Sequence, residues 1–342
     1  MKAATFSSSL MWFSRKTAAF TAAAVFCVIF SLVMLHQYSE SLPQITWRPS
    51  YASPSQNGWG VDLDTPVCSE ARNIVSEDIW AESRRKYQHL RNDKFTLVIS
   101  TYKRPDSLNA TLSLVLSEYI PTLHEIVVVW NEVNTTAPTD FISEHNVRVR
   151  FRVSPRNSLN MKLWADPEIR TQGILLSDDD CHYEPDDMGF IFNYWKEHAM
   201  DRIVGAFPRS YTIGEDGQYK YSFARGWDRY SMVLTGLAFA HISYLDYYSS
   251  DDPLMIDIRD MIDEKFNCED IALNYMVSML TCKPPIQVVG LIHPINAGGK
   301  HGISTKKGHI GKRHSCVDGF ANMMGYMPLK NETFYVHRGR QK

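Results

Sequence analysis

After a short start of mixed polarity whose only charges are Lys2, Arg15 and Lys16, the chain runs without a charge from residue 18 to residue 35 (AAFTAAAVFCVIFSLVML). A helix of that length rises about 27 Å, close to the thickness of the hydrocarbon layer, so the run is predicted to cross a bilayer. From residue 39 to about residue 68 the pattern is polar, has no apolar period, and is broken by Pro43, Pro49, Pro54, Gly58, Gly60 and Pro66. Such a stretch reads as a stem that holds the next domain off the membrane. Helical periodicity over residues 77–90 either closes the stem or opens the domain. From Phe95 onward, residues 95–100 (FTLVIS), 125–130 (EIVVVW), 147–153 and 173–177 (GILLS) predict strands. Residues 107–117, 138–145 and 160–165 predict helices between them. This alternation predicts an α/β domain with a mixed, mostly parallel sheet flanked by helices.

Arg15 and Lys16 directly precede the apolar run, so the positive-inside rule orients it. The predicted organisation is a cytosolic tail (1–17), a transmembrane signal anchor (18–35), a luminal stem (36–92) and a globular domain (93–342). A cleaved signal peptide fits less well, because the run is long for one and His36-Gln37-Tyr38 offers no small-residue cleavage site. Sequons at Asn109, Asn134 and Asn331 agree with a luminal body. Of six cysteines, Cys27 lies in the apolar run, and Cys68, Cys181, Cys268, Cys282 and Cys316 then face an oxidising compartment where disulfides are expected. The odd number leaves at least one free or paired between chains, and sequence alone does not give the connectivity. With 44% hydrophobic and 12% aromatic residues the chain can bury a sizeable core. Its 36 basic residues nearly balance 38 acidic ones, so no positive field is available to hold nucleic acid.

In parallel sheets ligands bind beyond the carboxyl ends of the strands. That rule selects residues 101–104, Asn131, Arg156 with Asn157, and the run Asp178-Asp179-Asp180. Three adjacent carboxylates repel one another unless a cation or a set of donors compensates them. Their hard oxygens suit Mg²⁺ or Mn²⁺, with diphosphate oxygens completing the shell. Because strand side chains alternate, Asp178 and Asp180 are expected on one side, one toward a ribose and the other toward the metal. A solvated acidic turn is the plain alternative. Arg104, Arg156 and Lys162 are candidate diphosphate cations. No GxGxxG, no GxxxxGK[ST] and no EF-hand spacing occurs.

Asn267 is a plausible cap for a helix over the run NCEDIALNY, where Glu269 and Asp270 either complement the helix dipole or, for Asp270, face the reacting carbon. Residues 300–313 carry Gly302, Gly308 and Gly311 among Lys300, Lys306, Lys307, Lys312 and Arg313, and read as a basic loop able to close over a bound diphosphate.

Taken together, FTLVISTYKRPD, VVVWNE, the loop from Asn157 to Lys162, LLSDDD, YSMVLTGLAF, CEDIALNY and the C-terminal RHSC…MPL resemble the exostosin-like glycosyltransferases, whose domain is glycosyltransferase family 64. The resemblance runs from about Phe95 to Leu329 and fits the short members that carry this domain behind one membrane anchor. It implies a GT-A fold, Mn²⁺ (or Mg²⁺), a UDP-sugar donor, a glycan acceptor and transfer with retention, in the Golgi or endoplasmic reticulum membrane as a single-pass type II protein. Animal members transfer N-acetylhexosamine. It places Arg104, Asn131, Asn157, Lys162, Asp178, Asp179 and Arg313 at the donor, Asp180 on the metal and Asp270 in catalysis. Tyr230, Ser231 and Glu269 fall on the acceptor side, and Cys268 is joined to Cys316.

One departure is Lys162, where the family usually has arginine. Lysine keeps the charge and loses the bidentate fork, which bears on donor choice. Retention leaves two routes, a double displacement through Asp270 or a front-face attack with Asp270 orienting the acceptor, and the second is favoured. Two rival readings are a non-catalytic partner that stabilises another glycosyltransferase and a carbohydrate-binding module. A homodimer or a complex with other glycosyltransferases is the expected form of assembly.

Overall fold

A computed structural model describes residues 67–224, 229–296 and 302–339. The expected cytosolic tail, membrane anchor and most of the stem lie outside the described residues, among which no helix is long and apolar enough to cross a membrane.

The chain forms α1 (Glu77–Lys86), β1 (Arg91–Thr101), α2 (Pro105–Val115), β2 (Leu123–Trp130), β3 (Phe141–Ile142), β4 (Arg148–Val153), β5 (Thr171–Asp178) and β6 (Cys181–His182). It continues with α3 (Pro185–His198), β7 (Val204–Gly205), β8 (Pro208–Ile213), β9 (Tyr219–Phe223), β10 (Met232–Val233), β11 (Leu237–His241), α4 (Ile242–Tyr248) and α5 (Pro253–Lys265). α6 (Glu269–Thr281), β12 (Ile286–Val289), β13 (Ile295–Asn296), α7 (His309–Met324) and β14 (Tyr335–His337) complete it. The main sheet has nine strands in the order β14-β12-β7-β11-β5-β1-β2-β4-β3. The four predicted strands form its parallel centre, β5-β1-β2-β4, while β11 runs antiparallel to both β5 and β7. This is the mixed, mostly parallel sheet expected from the sequence.

Both faces of the sheet are covered, which is why its central strands read as continuous apolar runs. Leu97, Ile99, Ile126, Val128 and Leu175 point into one core layer with Leu108 and Leu112 of α2 and Phe192 and Trp195 of α3. Val98, Val127, Val129, Ile174 and Leu176 point into the other, with Tyr244, Ile258, Leu273 and Phe320 from α4 to α7. Each large apolar side chain buried in this way contributes about 1.5–3 kcal/mol.

Three expectations are corrected. Residues 138–145 are not a helix: Phe141 and Ile142 form the edge strand β3, antiparallel to β4. Asp140 fixes that edge by accepting from the Phe151 N–H at 2.9 Å and from Arg148 Nη2 at 3.2 Å. The body also begins ahead of residue 93. Trp80 of α1 stacks on Tyr244 at 5.3 Å, and Asp246 of α4 accepts from Ser83 Oγ, Lys86 Nζ and Tyr87 Oη at 2.7–2.8 Å. A disulfide between Cys68 and Cys282 fastens the same segment to the end of α6. The predicted helix over residues 77–90 therefore opens the domain. The third predicted helix, over residues 160–165, is a short 3-10 turn, Leu159–Leu163.

Candidate active site

Strands β1, β2 and β5 end at one edge, with Thr101 opposite Trp130 and Ser100 opposite Asp178 in parallel register. The loops bearing Arg104, Asn131 and the acidic run therefore open together, as the strand-end rule requires. The run sorts its three carboxylates. Asp179 turns inward: its Oδ2 accepts from Thr101 Oγ1 at 2.7 Å, and its carbonyl accepts from Thr111 Oγ1 of α2 at 2.8 Å. Ligand oxygens of Asp178 and Asp180 lie within 4.8 Å of each other and of Cys181 Sγ. Side-chain exposure is 40% at Asp178, 10% at Asp180 and 0% at Asp179, so only the outer two are open to a ligand. A Cβ at Gly236 would stand 2.8 Å from Asp178 Oδ2, so glycine there leaves the room that Asp178 occupies.

Two cations compensate the cluster. Arg104 forms salt bridges with both Asp179 and Asp180. Lys162 Nζ is 2.8 Å from Asp178 Oδ1 and 3.5 Å from Glu269 Oε1, so it joins the sheet edge to the first turn of α6. Burial favours the neutral amine of Lys162, but the Asp178 and Glu269 carboxylates outweigh it and hold the ammonium above its usual range. Burial pushes the Asp179 carboxyl up to about 6 against the pull of Thr101 and Arg104.

On the facing side, Asp270 Oδ2 accepts from Arg313 Nη2 at 2.7 Å, and Arg313 lies over the Tyr221 ring at 4.3 Å. Burial works against charge on Asp270, yet the Arg313 guanidinium prevails and holds its carboxyl below the usual range. Glu269 beside it goes the other way, raised by burial to about 7 although Lys162 pulls it down. The disulfide implied by the resemblance, Cys268 to Cys316, is present and ties the start of α6 to α7. Phe266 and Cys268 both hold left-handed backbone (φ 48° and 84°), a conformation that non-glycine residues keep only when their surroundings impose it.

Several expectations change at this level. Asn267 does not cap α6; its Nδ2 lies 3.1 Å from His309 Nδ1 and its Oδ1 accepts from Arg313 Nη1 at 3.4 Å. Cys268 holds the cap position instead. Tyr230 and Ser231 are buried, and the Tyr230 hydroxyl donates to the Phe334 carbonyl at 2.7 Å and accepts from the Gln287 N–H at 2.8 Å. Asn131 is also buried and ties strand ends together: Nδ2 donates to Ser100 Oγ at 3.1 Å, and Oδ1 accepts from Ser154 Oγ at 2.8 Å. Asn157 is exposed, and Arg156 pairs with Asp263 at 2.8 Å rather than reaching the acidic run. Residues 309–313, expected in a loop, form the first turn of α7, Lys306 and Lys307 are exposed, and Lys300 lies outside the described residues. Sequence reasoning missed Tyr221, Gly236, Thr101 as a partner of Asp179, and Cys181, whose thiol is pushed up by burial and donates to Asp180 Oδ1 at 3.5 Å.

The donor set fits a hard divalent cation. Asp178 and Asp180 supply carboxylate oxygens of the kind Mg²⁺ and Mn²⁺ take.

Residues 95–339 match the Glycosyl transferase family 64 domain. Exostosin-like 2 of Mus musculus is 32% identical over 260 residues, which cover 71% of this chain and 76% of that protein. Glycosylinositol phosphorylceramide mannosyl transferase 1 of Arabidopsis thaliana is 32% identical over 287 residues, 78% of this chain and 82% of that protein. An Exostosin-like-3 homolog of Caenorhabditis elegans is 35% identical over 242 residues, 71% of this chain and 29% of that protein. The matched span includes every edge loop described above together with α6 and α7, and the chain belongs to glycosyl transferase family 64.

Proposed function

We propose that the chain is a retaining, metal-dependent glycosyltransferase that moves a sugar, N-acetylhexosamine first among the candidates, from a UDP-sugar to a glycan acceptor. Its place is the Golgi or endoplasmic reticulum membrane, with the anchor at residues 18–35 and the catalytic domain in the lumen. The observation that carries this reading is one charge network at the sheet edge. Asp178 and Asp180 offer hard oxygens, Arg104 and Lys162 stand ready as cations, and Lys162 leads through Glu269 to the Asp270 and Arg313 pair. Two disulfides agree with an oxidising compartment.

In this reading Asp178 and Asp180 hold a divalent cation, which when bound neutralises diphosphate charge and stabilises the leaving nucleotide. Arg104 pairs with Asp180 in the free protein, beside the proposed cation site, and would change partner from carboxylate to phosphate when a diphosphate binds there. Asp270 stays ionised because Arg313 compensates it, and an ionised carboxylate is what positive charge at an anomeric carbon requires. Cys268 to Cys316 and the ring of Tyr221 hold that pair in place. We favour front-face transfer, with Asp270 stabilising charge or orienting the acceptor.

Donor identity is the finer part of the proposal. Relatives are named as mannosyl and glucosamine inositolphosphorylceramide transferases as well as exostosins, and Lys162 stands where the family usually has arginine. The deciding experiment incubates the purified protein with a panel of UDP- and GDP-sugars, with Mn²⁺ and with chelator, and measures release of nucleoside diphosphate. Turnover with one UDP-sugar that chelator abolishes is expected, together with a large loss in Asp180→Ala and Asp270→Ala. Transfer that persists in both variants sinks the site assignment.

A further inference from the structure

We infer that Asp263 of α5 is a positioning residue for the donor, acting by clamping the loop that presents Lys162. This rests on the donor role proposed for Lys162. Asp263 gathers three side chains from one short stretch. Its Oδ2 accepts from Arg156 Nη2 at 2.8 Å, and its Oδ1 accepts from Asn160 Nδ2 at 2.9 Å and from the Ser158 hydroxyl. Asn160 is fully buried and is itself held twice more, donating to the Arg259 carbonyl at 3.0 Å and accepting from Tyr248 Oη at 2.5 Å.

The opposite side of the loop is fixed from the sheet. Arg152 of β4 donates to the Met161 carbonyl at 2.5 Å and to the Trp164 carbonyl at 2.9 Å, so backbone on both flanks of Lys162 is tied down. Lysine has a flexible four-carbon stem and a point charge without a fork, so it cannot set its own orientation as a bidentate arginine can. Its aim at Asp178 and Glu269 then depends on where the turn Leu159–Leu163 is held, and Asp263 supplies the anionic half of that hold, opposite Arg152. Asp263 also lies in the last turn of α5, just before Phe266 and Asn267, so the same helix end sets the donor loop and the entry to α6.

The test uses the full-length protein in detergent, as wild type, Asp263→Ala and Asp263→Asn. UDP affinity with Mn²⁺ is measured by calorimetry, and amide exchange of residues 157–163 and 95–101 by mass spectrometry. Loss of hydrogen bonds to a charged group is expected to weaken UDP binding about tenfold in Asp263→Ala and to speed exchange of residues 157–163 by a similar factor. Residues 95–101 are expected to stay protected. Asp263→Asn, which keeps an acceptor oxygen, is expected to fall between. Unchanged UDP affinity and unchanged exchange in Asp263→Ala overturn the inference, as does faster exchange spread equally over both segments. If wild-type protein takes up no nucleotide, the donor reading itself fails, and exchange at residues 157–163 alone then decides whether Asp263 clamps the loop.

Discussion

Glu269 and Asp270 are neighbours in the first turn of α6, but their surroundings drive their carboxyls in opposite directions. Arg313 keeps Asp270 charged, while burial raises Glu269 to about 7. Carboxyl pairs pushed apart in this way divide roles between a permanent anion and a group that takes up a proton near neutrality. Replacing Asp270 with Asn is expected to lower kcat/KM on the order of 10²–10³-fold while UDP binding persists, since charge stabilisation is removed and the donor cradle is not. Steady-state kinetics with parallel calorimetry checks this; equal losses in both would make Asp270 a donor-binding residue. The pH dependence has a definite sign. Because the folded-state value of Glu269 lies above its ordinary 4.5, its contribution to stability is complete below that value and is lost as pH rises through about 7. Glu269→Gln is therefore expected to flatten the decline of Tm between about pH 5 and pH 8. A variant that keeps the wild-type slope would assign the titration elsewhere.

At the scale of elements, two disulfides do different work. Cys68 to Cys282 closes a separation of 214 residues and fastens α1 and its lead-in to the far end of α6, remote in sequence from the acidic run. Cys268 to Cys316 closes 48 residues and pins the turn before Asp270 to α7, which carries Arg313. Changing Cys68 and Cys282 to Ser together is expected to cost about 2–5 kcal/mol of stability with kcat kept well below the melting point. The matching double change at Cys268 and Cys316 is expected to lower kcat as well, because the Asp270 and Arg313 pair loses its tie. Thermal melts beside kinetics at low temperature separate the two; identical effects would refute the division. The same contrast explains what the sequence could reveal. FTLVIS, EIVVVW and GILLS were legible because strands buried on both faces need unbroken apolar runs, and the acidic run was legible because three carboxylates at a strand end need compensation. Residues 138–145 misled because Asp140, an ordinary polar residue in the pattern, takes its partner from β4 across the loop. Gly236, Tyr221 and Asp263 gave no signal, since each matters only through a side chain far away in the chain, at Asp178, Arg313 and Asn160 respectively.

Over the whole catalytic body, two internal cations are shared among four carboxylates in the free protein: Arg104 pairs with Asp179 and Asp180, and Lys162 with Asp178 and Glu269. A divalent cation arriving alone must compete with these internal cations for carboxylates, and a nucleotide arriving alone meets cations already engaged by carboxylates. If Asp178 and Asp180 hold the metal as proposed, a cation and a diphosphate bound together would each take partners released by the other, the carboxylates turning to the metal and the internal cations to phosphate. Binding of the two is therefore expected to be positively coupled, by about 1–3 kcal/mol as is usual between linked sites, and the coupling must be reciprocal. The expected outcome in thermal melts is a Tm shift with UDP and Mn²⁺ together that exceeds the sum of their separate shifts, and chelator should return the UDP-only value. In Arg104→Ala the carboxylates lose their internal competitor, so Mn²⁺ alone should stabilise that variant more than it stabilises wild type. Additive shifts in wild type, or no gain for Mn²⁺ in Arg104→Ala, would mean that the acidic run and its cations are a fixed structural knot and that the donor binds elsewhere on the sheet edge.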